Sequence, residues 1–173
     1  MAALPGGFTR RAAHIAFVYG GQLWRVPAGG GEALPLTSAE FIASNPVWSP
    51  DSQSIAFSAN RHGNADVFIM PAKGGEIRRL TTHSQADTPQ AFTPDGKSFV
   101  FASVGATSGF VGYKRPLGKP GISPLFTKAP PAAENVVTDG KGENVFFLGA
   151  GGIEKPTGGR LAVQGGVVVV IVV

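Results

Sequence analysis

The sequence predicts an all-β protein, a partial β-propeller of about three four-stranded blades plus incomplete terminal pieces. Three observations carry that prediction. The first is a hairpin written twice: Pro46-Val47-Trp48-Ser49-Pro50-Asp51-Ser52-Gln53-Ser54-Ile55-Ala56-Phe57-Ser58, and again Pro89-Gln90-Ala91-Phe92-Thr93-Pro94-Asp95-Gly96-Lys97-Ser98-Phe99-Val100-Phe101-Ala102. The second is a fixed spacing. Trp24-Arg25-Val26-Pro27 returns 44 positions later as Phe68-Ile69-Met70-Pro71, Leu36-Thr37 as Leu80-Thr81, and Ser49-Pro50-Asp51 as Thr93-Pro94-Asp95. A weaker copy, Tyr113-Lys114-Arg115-Pro116, follows at 45, and Thr138-Asp139-Gly140-Lys141 with Val145-Phe146-Phe147 echoes the second hairpin. A period of about 40–45 residues holding four strands is a propeller-blade signature, and a sandwich would keep no such period. The third is that no stretch shows helical periodicity, which argues against an α/β fold.

Each half of the hairpin is rich in β-branched and aromatic residues, which favour extended chain. Proline presets the first corner of the turn, Asp hydrogen-bonds nearby backbone, and Gly96 can take positive φ. Ser52 stands where the second copy has that glycine, so the first turn is expected to be the more strained. Two strands alone cannot bury a face, so a repeated hairpin implies stacked sheets.

In chain order, residues 1–13 form an N-terminal extension that is small, polar and basic. Strands follow at 14–19 and 22–27, separated by Gly20-Gly21, and a further strand at 32–37 follows the turn Gly29-Gly30-Gly31. After the first hairpin a loop over 59–64 leads to strands at 65–71 and 76–81, then a polar connector at 82–88 and the second hairpin. The repeats fill 14–148, divided at about 14–44, 45–88, 89–134 and 135–148. Residues 149–173 are an atypical Gly/Val-rich tail. Its seven consecutive Val and Ile residues are far short of the ~20 that cross a bilayer as a helix, so no membrane span is expected and the run reads as a buried or sticky strand.

Composition narrows the function classes. Of 173 residues, 43% are hydrophobic and 15% charged, which excludes a disordered chain. The absence of cysteine removes disulfide scaffolds and thiolate metal sites. The net charge of +4 is spread along the chain, with doublets only at Arg10-Arg11, Arg78-Arg79 and Lys114-Arg115, so nucleic acid is not an expected partner.

No catalytic, cofactor-binding or metal-binding residue is assigned, and no cofactor is expected. His14, His62 and His83 lack metal-ligand spacing. Gly121-Ile122-Ser123-Pro124-Leu125 lacks the second glycine of a nucleophile elbow. Gly29-Gly30-Gly31 and Gly149-Ala150-Gly151-Gly152 precede no phosphate-binding helix. Asp51, Asp95 and Asp139 recur at the hairpin corner, which is a structural position. Asp66 has two readings, a loop-fixing residue or a cation ligand, with no ligand cluster around it. Trp24, Trp48, Phe57, Phe68, Phe92 and Phe101 occupy repeat-equivalent places and are expected to fill the space between blades.

The segments Ile55-Ala56-Phe57-Ser58, Gly63-Asn64-Ala65-Asp66-Val67-Phe68-Ile69-Met70, Gly74-Gly75-Glu76 and Arg79-Leu80-Thr81 resemble the WD40-like PD40 repeat of the TolB and tricorn-type propellers. Trp24-Arg25-Val26-Pro27 with Gly30-Gly31-Glu32, and Arg78-Arg79-Leu80-Thr81-Thr82-His83-Ser84, look closer to the N-terminal propeller of tricorn-like S41 serine peptidases. The resemblance implies a non-catalytic module that binds or channels peptides, or a partner chain, beside a separate peptidase domain. The alternatives it leaves open are a TolB-like interaction propeller of the cell envelope and the propeller of a prolyl-oligopeptidase-like hydrolase. The catalytic serine and histidine of the peptidase domain have no counterpart here, so none is carried over. Six blades of this length would need far more than 173 residues, so the chain reads as a fragment or an altered sequence. Open sheet edges would then favour self-association. The absence of an apolar leader points to the cytoplasm, or to the periplasm if the true start lies upstream.

Overall fold

A computed structural model describes residues 8–11, 13–104, 110–124, 134–138, 144–148, 159–164 and 167–172, with side chains described over 13–104 and 111–124. Among the described residues strands dominate, and one 3₁₀ turn at Ala39–Phe41 interrupts them. The described residues include sixteen strands, in four four-stranded antiparallel sheets. The chain divides into two compact units, Met1–Pro89 and Gln90–Val173.

Sheet one runs β1 (Phe8–Arg11), β2 (His14–Tyr19), β3 (Gln22–Pro27) and β4 (Leu34–Pro35), in sequence order. Sheet two repeats it with β5 (Ala43–Trp48), β6 (Ser54–Ala59), β7 (Asp66–Pro71) and β8 (Arg78–Arg79). Phe8–Arg11 is a paired strand, with Phe8 opposite Phe17, where the sequence suggested only an extension. The outer strands are two residues long, shorter than the expected 32–37 and 76–81. Threonine explains the shortening. The Leu23 N–H donates to Thr37 Oγ1 and the Val67 N–H to Thr81 Oγ1, both at 2.9 Å. A side chain replaces the next rung of the ladder, and the chain turns away.

Both hairpin turns close as the sequence predicts. Ser49 Oγ donates to Asp51 Oδ1 at 2.6 Å and accepts from the Ser54 N–H at 2.9 Å. Thr93 Oγ1 repeats this with Asp95 Oδ1 and the Ser98 N–H. Each Asp also accepts from the backbone two residues on, Gln53 or Lys97, at 3.0 Å. Gly96 has φ +68 and Ser52 has φ +62, so the serine carries a conformation that costs an L-residue about 1–2 kcal/mol.

The core of the first unit lies between sheets one and two. Ala16 and Leu23, with Val18 and Leu36 beside them, face Ile55, Phe57, Phe68 and Met70. Phe41, from the connector, fills the gap and meets Phe57 and Phe68 edge-on at 6.2 and 5.8 Å. Trp48, Phe57 and Phe68 are buried as expected, whereas Trp24 is only half-buried. Its indole N–H donates to the Tyr19 carbonyl at 3.2 Å, on the face of sheet one turned away from this core.

In the second unit, sheet three contains β10 (Ser98–Val104), β11 (Phe110–Pro116) and β12 (Ser123–Pro124), with β9 (Asp87–Phe92) beginning in the first unit. Phe92 and Phe101 are buried, and Phe101 stacks on Tyr113 at 5.4 Å. Sheet four departs from sequence order: β13 (Glu134–Thr138), β14 (Asn144–Leu148), β16 (Val167–Val172), β15 (Gly159–Gln164). The all-valine and isoleucine strand takes an interior place, and the strand holding Arg160 and Gln164 takes the edge. The terminal pieces thus complete four-stranded sheets.

Candidate functional site

The residues with most chemical character gather at one end of sheet two. The β6–β7 connection spans residues 60–65, six residues where the β2–β3 turn has only Gly20-Gly21. The four extra positions carry Arg61, His62 and Asn64. Asn64 Nδ2 donates to the His83 and Gln85 carbonyls at 2.9 and 2.8 Å. This ties the loop to the β8–β9 connector. The Arg61 guanidinium sits 4.7 Å over the Phe41 ring, a cation–π contact made by an exposed side chain. His62 is exposed and stacks on Phe68 at 6.4 Å.

Beneath these loops lie two buried carboxylates. Asp66, fully buried at the start of β7, pairs with Arg79 Nη2 at 2.5 Å. Arg79 Nε also donates to the Thr81 carbonyl at 2.9 Å. Sheet one satisfies the equivalent Thr37 carbonyl with Gln22 Nε2 at 3.0 Å, and Gln22 is the repeat counterpart of Asp66. Sheet two therefore uses an ion pair where sheet one uses a neutral amide. Asp87, also fully buried, lies 3.4 Å from His83 Nδ1. Its backbone N–H donates to the Ala65 carbonyl, and its carbonyl accepts from Ser58 Oγ at 3.1 Å. Asp66 thus anchors the outer strand through Arg79 rather than the loop over 61–64.

The other sequence candidates stay apart. His14 is half-buried on β2, and Ser123 is exposed on β12 opposite Lys114. Asp51 and Asp95 serve the turns, while Asp139 and the 149–152 glycines lie outside the described residues. Thr93 and the Lys97 N–H hold the Asp95 carboxyl below its ordinary range. Among the described residues no three His, Asp or Glu side chains meet as a metal site. The arrangement offers a cationic, hydrogen-bonding loop surface on a rigid base. Two features escaped the sequence reading: Phe41 as a core residue and the Asp87–His83 pair. The repeat itself held a signal for the second, because Asp87 falls where the preceding blade has Ala43.

Comparison with known proteins places this geometry. The model of the tricorn protease N-terminal beta propeller domain matches residues 9–115. No protein of curated function matches the sequence. Among solved structures, a protein described as TolB from Agrobacterium tumefaciens superposes with TM-score 0.74 at 19% identity, covering 83% of this chain and 53% of its own. TolB from Acinetobacter baumannii gives 0.72 at 21% identity, with 92% and 40% covered. The tricorn protease gives 0.52 at 14% identity, with 86% and 20% covered. The chain thus spans about half or less of each of these proteins, and at such identities the likeness establishes the fold. With the family model covering more than half of its length, the chain belongs to the tricorn protease N-terminal beta propeller domain family.

Proposed function

We propose that this chain is a non-catalytic propeller module of a tricorn-like S41 serine peptidase, which binds peptide segments and presents them to a separate peptidase domain. The observation that carries the proposal is the family match over 9–115. The loop surface at residues 60–65 and 82–86 supports it. Binding residues commonly sit on loops held by a rigid scaffold, and here Asn64 fastens one loop to the other over a buried ion pair. Arg61 supplies a fixed cation beside an aromatic base, suited to carboxylate or carbonyl groups of an extended peptide.

Fluorescence anisotropy with labelled unstructured peptides, combined with mass spectrometry of the same peptides after incubation, tests this. Saturable binding that weakens in Arg61→Ala, with every peptide intact, is the expected result. Absence of binding at millimolar peptide, or cleavage by the chain alone, would overturn it.

A further inference from the structure

The two hairpin corners are built alike and differ at one residue. The Ser52 N–H donates to the Ser49 carbonyl at 3.0 Å and the Gly96 N–H to the Thr93 carbonyl at 2.8 Å, so each corner is a hydrogen-bonded β-turn. The donor residue has positive φ in both, +62 for Ser52 and +68 for Gly96. The first corner thus holds a side chain in a conformation that glycine adopts at less cost. An exposed aspartate precedes each donor, Asp51 in one corner and Asp95 in the other. Asp95 is the only described aspartate that a glycine follows, since Asp51, Asp66 and Asp87 precede Ser52, Val67 and Thr88. That neighbour matters chemically. The amide nitrogen after an aspartate can attack the side-chain carboxyl carbon, and a side chain on the following residue obstructs the ring that forms. Glycine has none.

We propose that Asp95–Gly96 is a self-modification site, where the main chain isomerises to a β-linked isoaspartate, and that the hairpin corner gates the step. The Gly96 nitrogen attacks Asp95 Cγ. Its proton and one carboxyl oxygen leave as water, which closes a cyclic imide, the succinimide. Water then adds to either ring carbonyl. Addition at Cγ restores aspartate, while addition at the main-chain carbonyl leaves the chain running through Cγ. The water lost in the first step returns in the second, so the product is an isomer of equal mass and no other reactant is needed. The corner restrains both partners of the first step. The Gly96 N–H is engaged by the Thr93 carbonyl. Asp95 Oδ1 accepts from Thr93 Oγ1 at 2.6 Å and from the Lys97 N–H at 3.0 Å. These donors favour the ionised carboxylate, from which oxygen is a poor leaving group. Reaction therefore proceeds from openings of the corner, at a rate set by how often it opens. The product cannot close the corner again, because isoaspartate adds a methylene to the main chain and displaces the Gly96 and Lys97 N–H groups from Thr93 and the carboxyl. Ser52 is the opposite solution, strained in the fold but obstructive to the ring. The site is independent of peptide binding by the loops.

The test ages the 173-residue chain at neutral pH, native and in concentrated guanidinium chloride. Tryptic peptides are then searched for isomers of unchanged mass, placed by electron-transfer fragmentation and confirmed by enzymatic methylation of isoaspartate. The peptide Leu80–Lys97 separates Asp95 from Asp51 and Asp139. The expected result is isoaspartate at Asp95 and none at Asp51, formed about tenfold faster in denaturant than in the native chain. Thr93→Val, with far-UV circular dichroism unchanged, should speed the native reaction several-fold. Thr93→Ser keeps the hydroxyl, as in the first corner, and should react like the parent. Ser52→Gly should make Asp51 a second site. If Thr93→Val does not fold, the native-against-denatured comparison tests the gate by itself. No isomer at Asp95 in either condition would overturn the proposal. So would equal rates in the native and denatured chain, or a folded Thr93→Val that reacts no faster than the parent.

Discussion

Sheets one and two share a repeat and the register of their two central strands, and they differ in burial. Along β6 every residue from Ile55 to Ala59 is buried, whereas along β2 only Ala16 is. The strands themselves do not explain this, since Phe17 and Phe57 are the same residue at the same repeat position. The neighbour decides it. Sheet two has an aliphatic face of sheet one laid against its aromatic pairs; among the described residues of the first unit, sheet one has no such cover. A blade's sequence specifies which residues are fit for burial, and the packing partner determines whether burial is realised.

The largest effect should come from making the two phenylalanines answer separately. Phe57→Ala empties a fully buried site and should cost about 3–5 kcal/mol, while Phe17→Ala, half-exposed, should cost about 1 kcal/mol or less in urea unfolding of dilute monomer. Equal losses would show that both faces are buried in solution. Arg79→Met comes next. It strands the Asp66 carboxylate in the core and should cost about 3 kcal/mol. The double variant Asp66→Gln/Arg79→Met imitates the amide of sheet one and should recover part of that loss. No recovery would mean that the two sheets satisfy their outer strands by different principles.

Smaller effects concern the turns. Ser52→Gly relieves a left-handed serine and should stabilise by up to about 1 kcal/mol, whereas Gly96→Ser should destabilise by a similar amount. The smallest is a pH effect. The Asp95 carboxyl is held below its ordinary value of 3.8 by the Thr93 hydroxyl and then by the Lys97 N–H. The ionised group contributes its stabilisation fully above that value and loses it as pH falls through the lower value of the folded protein. Unfolding midpoints between pH 6 and pH 3 should therefore fall slightly less steeply in Asp95→Asn than in the parent chain. Identical slopes would place the acid sensitivity elsewhere.

The fold was legible because its determinants are local and repeated. The 44-residue period, the Ser/Thr-Pro-Asp corner and the alternating aromatics each need only neighbouring residues to be read. What escaped depends on distant partners. Phe41 stands in a polar connector, and only the gap between two sheets makes it core. Trp24 looks like core by its repeat position, and the structure leaves it half-open. The threonines that shorten the outer strands do so through hydroxyls, which no periodicity of apolar residues reveals. Asp87 and His83 are four residues apart in a loop, a spacing that means little until the backbone at Ala65 brings Asp87 inside.

The hairpin turns have a consequence for how such chains change over time. Each closes through atoms no more than five residues apart, the hydroxyl of Ser49 or Thr93 serving as both donor and acceptor. Closure that local is fast to form and indifferent to what lies further along the chain. A blade can then be duplicated, lost or given a longer connector, as residues 60–65 exemplify, without shifting the strand pairing on either side of its turn.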